Sequence, residues 1–261
     1  MVRAAAFFDL DKTIIATSSA TAFSRGFLAE GLLTRRRVVA SAYAQLAYLL
    51  GSADEAATER LRAQLARTVT GWDVATVSSV VRETLHESID PTVYAEAVEL
   101  IAEHHAAGRD VVVVSASGAE VVEPIAQMLG ADAVVATRQA VADGRYTGDI
   151  EFYAYGENKA SAVRDLARER GYDLAACYAY SDSVTDAPML AAVGQAFAVN
   201  PDRALRRLAA ERGWGVLTFR RTVRLSRLHR HARVTAAVVA AAALALVALL
   251  VLRRRRGPSS A

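Results

Sequence analysis

Cysteine is almost missing from this chain of 261 residues, since Cys177 is the only one. No disulfide can therefore form within the chain, and a reducing compartment is permitted. The patterns G-x-G-x-x-G, C-x-x-C and H-E-x-x-H are also absent. These patterns are typical of dinucleotide, thiol-redox and zinc-protease sites, so the sequence gives no sign of those three kinds of chemistry.

Lysine is nearly as rare. Among the 31 basic residues only Lys12 and Lys159 are lysines, so arginine serves almost wherever a cation is needed. The lysine ammonium is a compact point charge, whereas the arginine guanidinium is a planar fork. Lys159 opens a predicted helix from which it can face the edge where the strands end, so we interpret it as a residue chosen for its chemistry. We assign no role to Lys12.

Acidic residues are absent from residues 220–256, which carry ten arginines. This basic region surrounds residues 234–252, an uncharged apolar run of 19 residues. A helix of that length spans roughly 30 Å of hydrocarbon. Positive charge on both sides of an apolar run fits anionic lipid better than nucleic acid. We expect a membrane anchor, with a buried alanine-rich core helix as the alternative.

The tail is thus predicted to contain a basic juxtamembrane segment at 220–233, a transmembrane helix at 234–252 and a short basic tail at 253–261. No signal peptide precedes the first predicted strand. Six arginines lie before the span and four after it. We expect a single-pass membrane protein with a cytoplasmic catalytic domain. Small residues in the span would allow helix association, and the oligomeric state stays open.

The remaining chain has the pattern of an α/β protein. Residues 2–10 form a short apolar run typical of a buried strand, and residues 20–86 are helical in pattern throughout. After Pro91, helices and strands alternate, which predicts a mainly parallel sheet covered by helices on both faces. The predicted domains are a catalytic core formed by 1–15 and 91–219 and a helical cap formed by 16–90.

Polar residues collect where the predicted strands end. The first strand ends in Asp9 and Asp11, the second in Ser115, and a later one in Asp182, with Asp186 opening the next helix. Carboxyl ends of parallel strands share one edge, where ligands bind. Clustered carboxylates repel one another unless a cation lies among them, and such oxygen ligands suit Mg²⁺. The sequence therefore predicts a Mg²⁺ site at this edge.

These residues form an ordered set of motifs. DLDKT at 9–13, the strand ending in Ser115, Lys159, and SDSVTDAPML at 181–190 resemble the four motifs of the haloacid dehalogenase (HAD) superfamily. The helical insertion between the first two motifs resembles subfamily IB, which includes phosphoserine phosphatases. The resemblance covers about residues 3–219. It implies a Rossmann-like parallel sheet, an all-helical cap inserted after the first strand, and phosphatase activity.

The resemblance also implies roles for individual residues. Asp9 would attack phosphorus and form an aspartyl-phosphate. Asp11 would protonate the leaving oxygen and then activate water. The implied Mg²⁺ ligands are Asp9, the main-chain carbonyl of Asp11, and Asp182, with Asp186 as a ligand or a support, and the implied phosphate-binding residues are Ser115 and Lys159, with Thr13 supporting the loop.

Two departures from the resemblance bear on the substrate. Phosphoserine phosphatases carry a glutamate nine residues beyond the nucleophile that holds the substrate amine, and here Ser18 takes that position. The acid of the fourth motif, usually flanked by glycine, stands in the sequence SDS at 181–183. Ser18 disfavours phosphoserine, so other small-molecule phosphomonoesters and lipid phosphates stay open as substrates.

Two other functions are compatible with these motifs. The aspartyl-phosphate could pass to an acceptor other than water, which would make the protein a phosphotransferase. A non-catalytic membrane adaptor that binds phosphorylated ligands is also possible, although such a module needs no pair like Asp9 and Asp11. We expect no nucleic-acid partner. His104 and His105 end a predicted helix, and we expect both to be solvated rather than bound to metal.

Overall fold

The computed structural model describes residues 3–33 and 66–224. The predicted transmembrane helix at 234–252, the basic tail at 253–261 and residues 34–65 of the predicted cap lie outside the described residues. Within the two described ranges, no helix is both long enough and apolar enough to cross a membrane.

One seven-stranded sheet organises the described part of the chain. Its spatial order is β4-β3-β2-β1-β5-β6-β7, and every neighbouring pair is parallel except β3 and β4. The predicted α/β class with a mainly parallel sheet is therefore confirmed. The strands are β1 (Ala5–Asp9), β2 (Asp110–Gly118), β3 (Ala133–Ala142), β4 (Arg145–Phe152), β5 (Tyr178–Ser181), β6 (Gln195–Val199) and β7 (Gly215–Leu217).

Helices cover both faces of this sheet because its central strand is apolar on both sides. Every residue of β1 is buried. Phe8 packs into the core on one face together with Val113, whereas Phe7 packs into the core on the other face together with Val112. The helices are α1 (Ser19–Ala29), α2 (Val74–Ser88), α3 (Ala95–Ala106), α4 (Ala119–Leu129), α5 (Glu157–Arg170), α6 (Ala187–Ala191) and α7 (Arg203–Arg212).

Helices α1 and α2 fall within the predicted cap. Ser18 caps the start of α1, because its side-chain oxygen accepts a hydrogen bond from the Thr21 backbone N–H. Phe23 of α1 and Val81 of α2 are fully buried in the same core. The division of the chain into core and cap at residues 15 and 90 stays a prediction.

The antiparallel strands β3 and β4 form a hairpin, and backbone hydrogen bonds join this hairpin to the chain that leads into α2. The Gly71 backbone N–H donates to the Tyr146 carbonyl at 2.8 Å, and the Tyr146 N–H donates to the Trp72 carbonyl at 3.1 Å. The Val74 N–H donates to the Gly144 carbonyl at 2.9 Å. The hairpin therefore ties the predicted cap to the strand that leads towards Lys159.

Three chain segments meet where the predicted cap joins the core. Ile15 forms an antiparallel bridge with Val93, and Tyr94 forms another with Thr222. The Val223 N–H donates to the Val93 carbonyl at 2.8 Å. Backbone groups of Thr222 and Val223 therefore pair with this joint, and the boundary of the core at residue 219 stays a prediction.

His104 is buried, which corrects the expectation that it is solvated. It packs edge-on against Phe8, and its Nε2 lies 2.9 Å from the Tyr180 hydroxyl. The Arg109 side chain donates to His104 Nδ1 at 2.7 Å. The sequence suggested exposure because His104 lies near the end of its helix, yet α3 turns this side chain onto the sheet. His105 is exposed, as expected.

Candidate active site

Three charged side chains meet at the carboxyl end of β1. The Lys159 ammonium Nζ lies 2.6 Å from Asp9 Oδ1 and 2.9 Å from Asp186 Oδ2. All three residues are buried. The structure thus brings together predicted site residues from the first, third and fourth motifs, which are up to 177 positions apart in the chain.

A tight turn places Lys159 at this edge. Gly156 precedes α5 with a φ of 55°, a left-handed conformation that glycine adopts at little cost. The Lys159 N–H donates to the Gly156 carbonyl at 3.1 Å. Lys159 therefore lies in the first turn of α5, with its side chain directed at the end of β1.

The charges in this cluster depend strongly on one another. Burial raises the pKa of Asp9 well above its ordinary value, and the neighbouring carboxylates of Asp186 and Asp182 raise it further, against the lowering effect of Lys159. Burial alone would lower the pKa of Lys159, but Asp186 and Asp9 raise it above its ordinary value. The site therefore holds an excess of buried carboxylates around one lysine.

Asp182 lies directly after β5, partly exposed beside this cluster. Burial raises its pKa to about 7, with Lys12 opposing the shift and Asp186 adding to it. Lys12 has a φ of 63°, so its backbone is left-handed, and its side chain is exposed. Lys12, to which the sequence assigned no role, therefore lowers the pKa of Asp182 through its positive charge.

Asp11 lies beyond the end of β1, in the turn that leads to the predicted cap. Strand alternation therefore does not set its direction, and the turn does. Its Oδ1 accepts a hydrogen bond from the Ser19 backbone N–H at 2.8 Å. Burial raises its pKa, while the bonds from Ser19 and the charge of Lys159 lower it. Lys159 thus acts on the carboxyls of both Asp9 and Asp11.

The predicted phosphate-binding residues Ser115 and Thr13 are both buried at this edge. Ser115 Oγ accepts from the Ser117 backbone N–H at 3.2 Å, where the pairing of β2 with β3 shifts between Ser115 and Gly118. The Thr13 hydroxyl is buried and has no hydrogen-bond partner among the described residues. Polar groups from all four motifs therefore converge on the end of β1.

Sequence reasoning missed three serines that contact the predicted acids. The Ser19 and Ser117 hydroxyls each lie 3.3 Å from Asp11 Oδ2, and the Ser181 hydroxyl donates to Asp186 Oδ2 at 2.7 Å. Ser117 lies two positions after Ser115, and Ser181 directly precedes Asp182, so their closeness to predicted site residues could have identified them as candidates. Nothing in the local pattern distinguishes Ser19 from Ser18.

The oxygen atoms available to a cation come from a small set of residues. Among the residues described, no group of three or more His, Cys, Asp or Glu side chains is arranged to hold a metal ion. Asp186 Oδ2 already accepts from Lys159 and Ser181, which favours a supporting role for Asp186. The carboxylates of Asp9 and Asp182 and the main-chain carbonyl of Asp11 are the other predicted ligands.

A buried aspartate, a lysine beside it and two further acids at the edge of a mainly parallel α/β sheet define a class of hydrolases. The model of the haloacid dehalogenase-like hydrolase family matches residues 6–191. The chain belongs to this family, as the four motifs predicted, and is a hydrolase of it.

Curated relatives agree with this assignment. The chain is 60% identical over 224 residues to an inhibition of morphological differentiation protein of Streptomyces azureus, covering 85% of this chain and 81% of that protein. It is 60% identical over 223 residues to a probable phosphatase of Mycobacterium tuberculosis, covering 85% and 78%. A phosphoserine phosphatase of the same organism is 39% identical over 219 residues, covering 83% and 71%.

Solved structures show the same fold. A protein of unknown function from Bordetella pertussis superposes with a TM-score of 0.72 at 29% identity, over 83% of this chain and 99% of that one. A phosphoserine phosphatase in its apo form superposes with a TM-score of 0.60 at 20% identity, over 85% and 95%. The second likeness concerns the fold alone.

Proposed function

We propose that this protein is a Mg²⁺-dependent phosphomonoesterase that works through an aspartyl-phosphate on Asp9. The observation that carries the proposal is the buried contact of 2.6 Å between Lys159 Nζ and Asp9 Oδ1. It places a cation at the carboxylate that would attack an anionic phosphate. The relative named as a probable phosphatase supports the same reaction.

In the proposed reaction, Asp9 attacks phosphorus, and the bond from phosphorus to the leaving oxygen breaks as the new bond forms. Asp11 gives its proton to that oxygen, so an alcohol departs. Water then attacks the phosphorus of the aspartyl-phosphate and gives a proton to Asp11, which releases inorganic phosphate and restores Asp9. Lys159 and Ser115 bind the phosphoryl oxygens throughout.

The residues present fit a Mg²⁺ ion. Mg²⁺ commonly binds through one or two carboxylates and keeps several waters, and Asp9, Asp182 and the Asp11 carbonyl supply such a set. Burial raises the pKa values of Asp9 and Asp182, and the charge of Asp186 raises both further, a cost that a bound cation would relieve. When bound, the ion would offset the negative charge of nucleophile and phosphate.

The leaving group is proposed to be an alcohol other than serine. Ser18 stands where phosphoserine phosphatases carry the glutamate that holds the substrate amine. The Ser18 hydroxyl lies 2.8 Å from the Thr21 hydroxyl and accepts from the Thr21 N–H, so it serves the start of α1. A short hydroxyl engaged in this way supplies no carboxylate for an ammonium group.

One observation favours lipid phosphates as a second candidate substrate class. Because β7 is parallel to β6, the chain leaves β7 at the same sheet edge as Asp9, and Thr222 pairs with Tyr94 there. Residues 220–224, which lead towards the proposed membrane anchor at 234–252, therefore lie on the side of the active site. We propose the membrane location and the cytoplasmic orientation on the charge pattern of the tail.

The test uses the full chain in detergent with a panel of phosphoserine, sugar phosphates, nucleotides and short-chain lipid phosphates, with and without Mg²⁺. Metal-dependent release of phosphate from one class would identify the substrate. Asp9→Asn should abolish release while the protein stays folded, and Asp149→Asn, which alters an exposed acid, should not. Full activity of Asp9→Asn would refute the assignment of the nucleophile, and binding without turnover would favour the adaptor.

A further inference from the structure

Three oxygen atoms form a small triangle beside the proposed general acid. Ser19 Oγ and Ser117 Oγ lie 2.8 Å apart, and each lies 3.3 Å from Asp11 Oδ2. The other carboxylate oxygen, Oδ1, accepts from the Ser19 backbone N–H at 2.8 Å. Both oxygens of Asp11 are therefore held from outside the turn that carries it.

The three residues come from three different parts of the fold. Asp11 follows β1, Ser19 is the first residue of α1, and Ser117 lies near the end of β2. Ser19 has no exposed surface, so its hydroxyl must find its partners within the protein. The hydrogen bonds of the triangle thus connect the start of α1, in the predicted cap, to the edge of the core where Asp9 lies.

Counting hydrogen atoms shows that the two hydroxyls act together. Each serine hydroxyl carries one proton, and the proton of the Asp11 carboxyl is directed at the leaving oxygen, so two protons serve the three contacts of the triangle. The short contact of 2.8 Å between the hydroxyls takes one of them. One serine then donates to the other, and the other donates to Asp11 Oδ2. Removing either hydroxyl breaks the same chain of hydrogen bonds.

We infer that Ser19 and Ser117 are positioning residues that aim the Asp11 carboxyl at the leaving oxygen, and that the seating of α1 on the core sets this aim. The inference rests on the proposed phosphatase activity. In the proposed reaction, a general acid must lie within hydrogen-bond reach of the oxygen it protonates. A carboxyl free to rotate would satisfy that condition only part of the time.

Leaving groups of different basicity separate this role from a purely structural one. A poor leaving group needs the proton of Asp11, whereas a good one departs with little help. Phenyl phosphate and p-nitrophenyl phosphate are both aryl esters of similar shape. The phenoxide of the first is the poor leaving group, and the p-nitrophenoxide of the second is the good one. The value of kcat/KM reports the steps up to the transfer onto Asp9, so it is the quantity to compare.

The experiment measures kcat/KM for both esters in the full-length wild type, Ser19→Ala, Ser117→Ala and the double variant. We expect each single variant to lose about tenfold with phenyl phosphate and less than about threefold with p-nitrophenyl phosphate, as for partial loss of general-acid catalysis. The double variant should match the single ones, because both hydroxyls belong to one chain of bonds. Ser117→Thr, which keeps a hydroxyl, should restore most of the loss.

Ser24→Ala is the matched control, since Ser24 lies on α1 and its hydroxyl donates to the Thr21 carbonyl, away from Asp11. It should leave both esters unaffected. Equal losses with the two esters, or additive losses in the double variant, would overturn the positioning role while the phosphatase stands. If the wild type hydrolyses neither ester nor any member of the panel, the proposed function itself fails. Should Ser19→Ala not fold, the two Ser117 variants decide the question alone.

Discussion

Lys159 Nζ lies 2.6 Å from Asp9 Oδ1 in a buried contact that joins the third motif to the first. The same ammonium group lies 2.9 Å from Asp186 Oδ2. One lysine therefore balances two carboxylates that have almost no contact with water. The contact bears on stability as well as on chemistry, because removing one member of a buried ion pair leaves the others without compensation.

Lys159→Gln should therefore lower both activity and stability. We expect the free energy of unfolding to fall by about 3 kcal/mol, since two buried carboxylates lose their cation. Chemical denaturation measures the loss of stability, and the rate of phosphate ester hydrolysis measures the loss of activity. Arg164→Gln is the matched control on the same helix, because its exposed ion pair with Glu157 is worth less than about 1 kcal/mol. Equal stability of the two variants would contradict this account.

Addition of Mg²⁺ should raise the melting temperature of the wild type, because a ligand that binds only the folded state stabilises it. The rise should shrink in Asp182→Asn, which removes one proposed ligand, and should be unchanged in Asp149→Asn. Thermal unfolding across a Mg²⁺ titration measures the effect. A full Mg²⁺ response in Asp182→Asn would show that Asp182 does not hold the ion.

Acid should weaken the fold through His104. Burial and the nearby charge of Arg109 lower its pKa to about 4, below the ordinary value of 6.5. The folded state therefore binds fewer protons than the unfolded chain, and stability is lost as the pH falls from about 6.5 towards about 4. The full loss is about 3 kcal/mol.

Denaturation of the wild type, His104→Gln and His105→Gln between pH 7 and pH 4 tests this prediction. The dependence on pH should be flatter in His104→Gln than in the wild type, since the group that titrates is gone. His105→Gln is the matched control, because it replaces an exposed histidine on the same helix and leaves the buried His104 in place. Parallel curves for all three proteins would exclude His104 as the source.

A chain that ends at residue 224 should be more stable than one that ends at residue 219. The shorter chain lacks the Arg221 carbonyl that accepts from Ala95 at 2.7 Å and the Val223 N–H that donates to Val93 at 2.8 Å. Each such bond is worth about 1 kcal/mol, so the difference should be about 2 kcal/mol. Arg221→Gln in the longer chain should cost less than about 1 kcal/mol, because it removes only the surface ion pairs with Glu96 and Glu99. Identical denaturation midpoints for the two truncated chains would show that these two backbone hydrogen bonds add nothing to the stability.

The sequence by itself determined the class of the sheet and the places where its chemistry collects. Periodicity is a local property, so alternating helices and strands identify the α/β fold, and parallel strands carry Asp9 and Ser115 to one edge without any knowledge of packing. The sequence places Lys159 and Asp182 at the same edge for a similar reason. Lys159 lies in the first turn of a predicted helix and Asp182 lies at the end of a predicted strand, and the pattern reveals the direction of both elements.

Only the tertiary structure decided which groups touch. The Ser19 and Ser117 hydroxyls meet at Asp11 although Ser19 and Ser117 lie 98 positions apart, a contact that no local pattern encodes. The burial of His104 and the pairing of Thr222 with Tyr94 likewise depend on how helices and loops close against the sheet. Such contacts follow from the packing of the whole chain, because a side chain's neighbours are set by distance in space and not along the sequence.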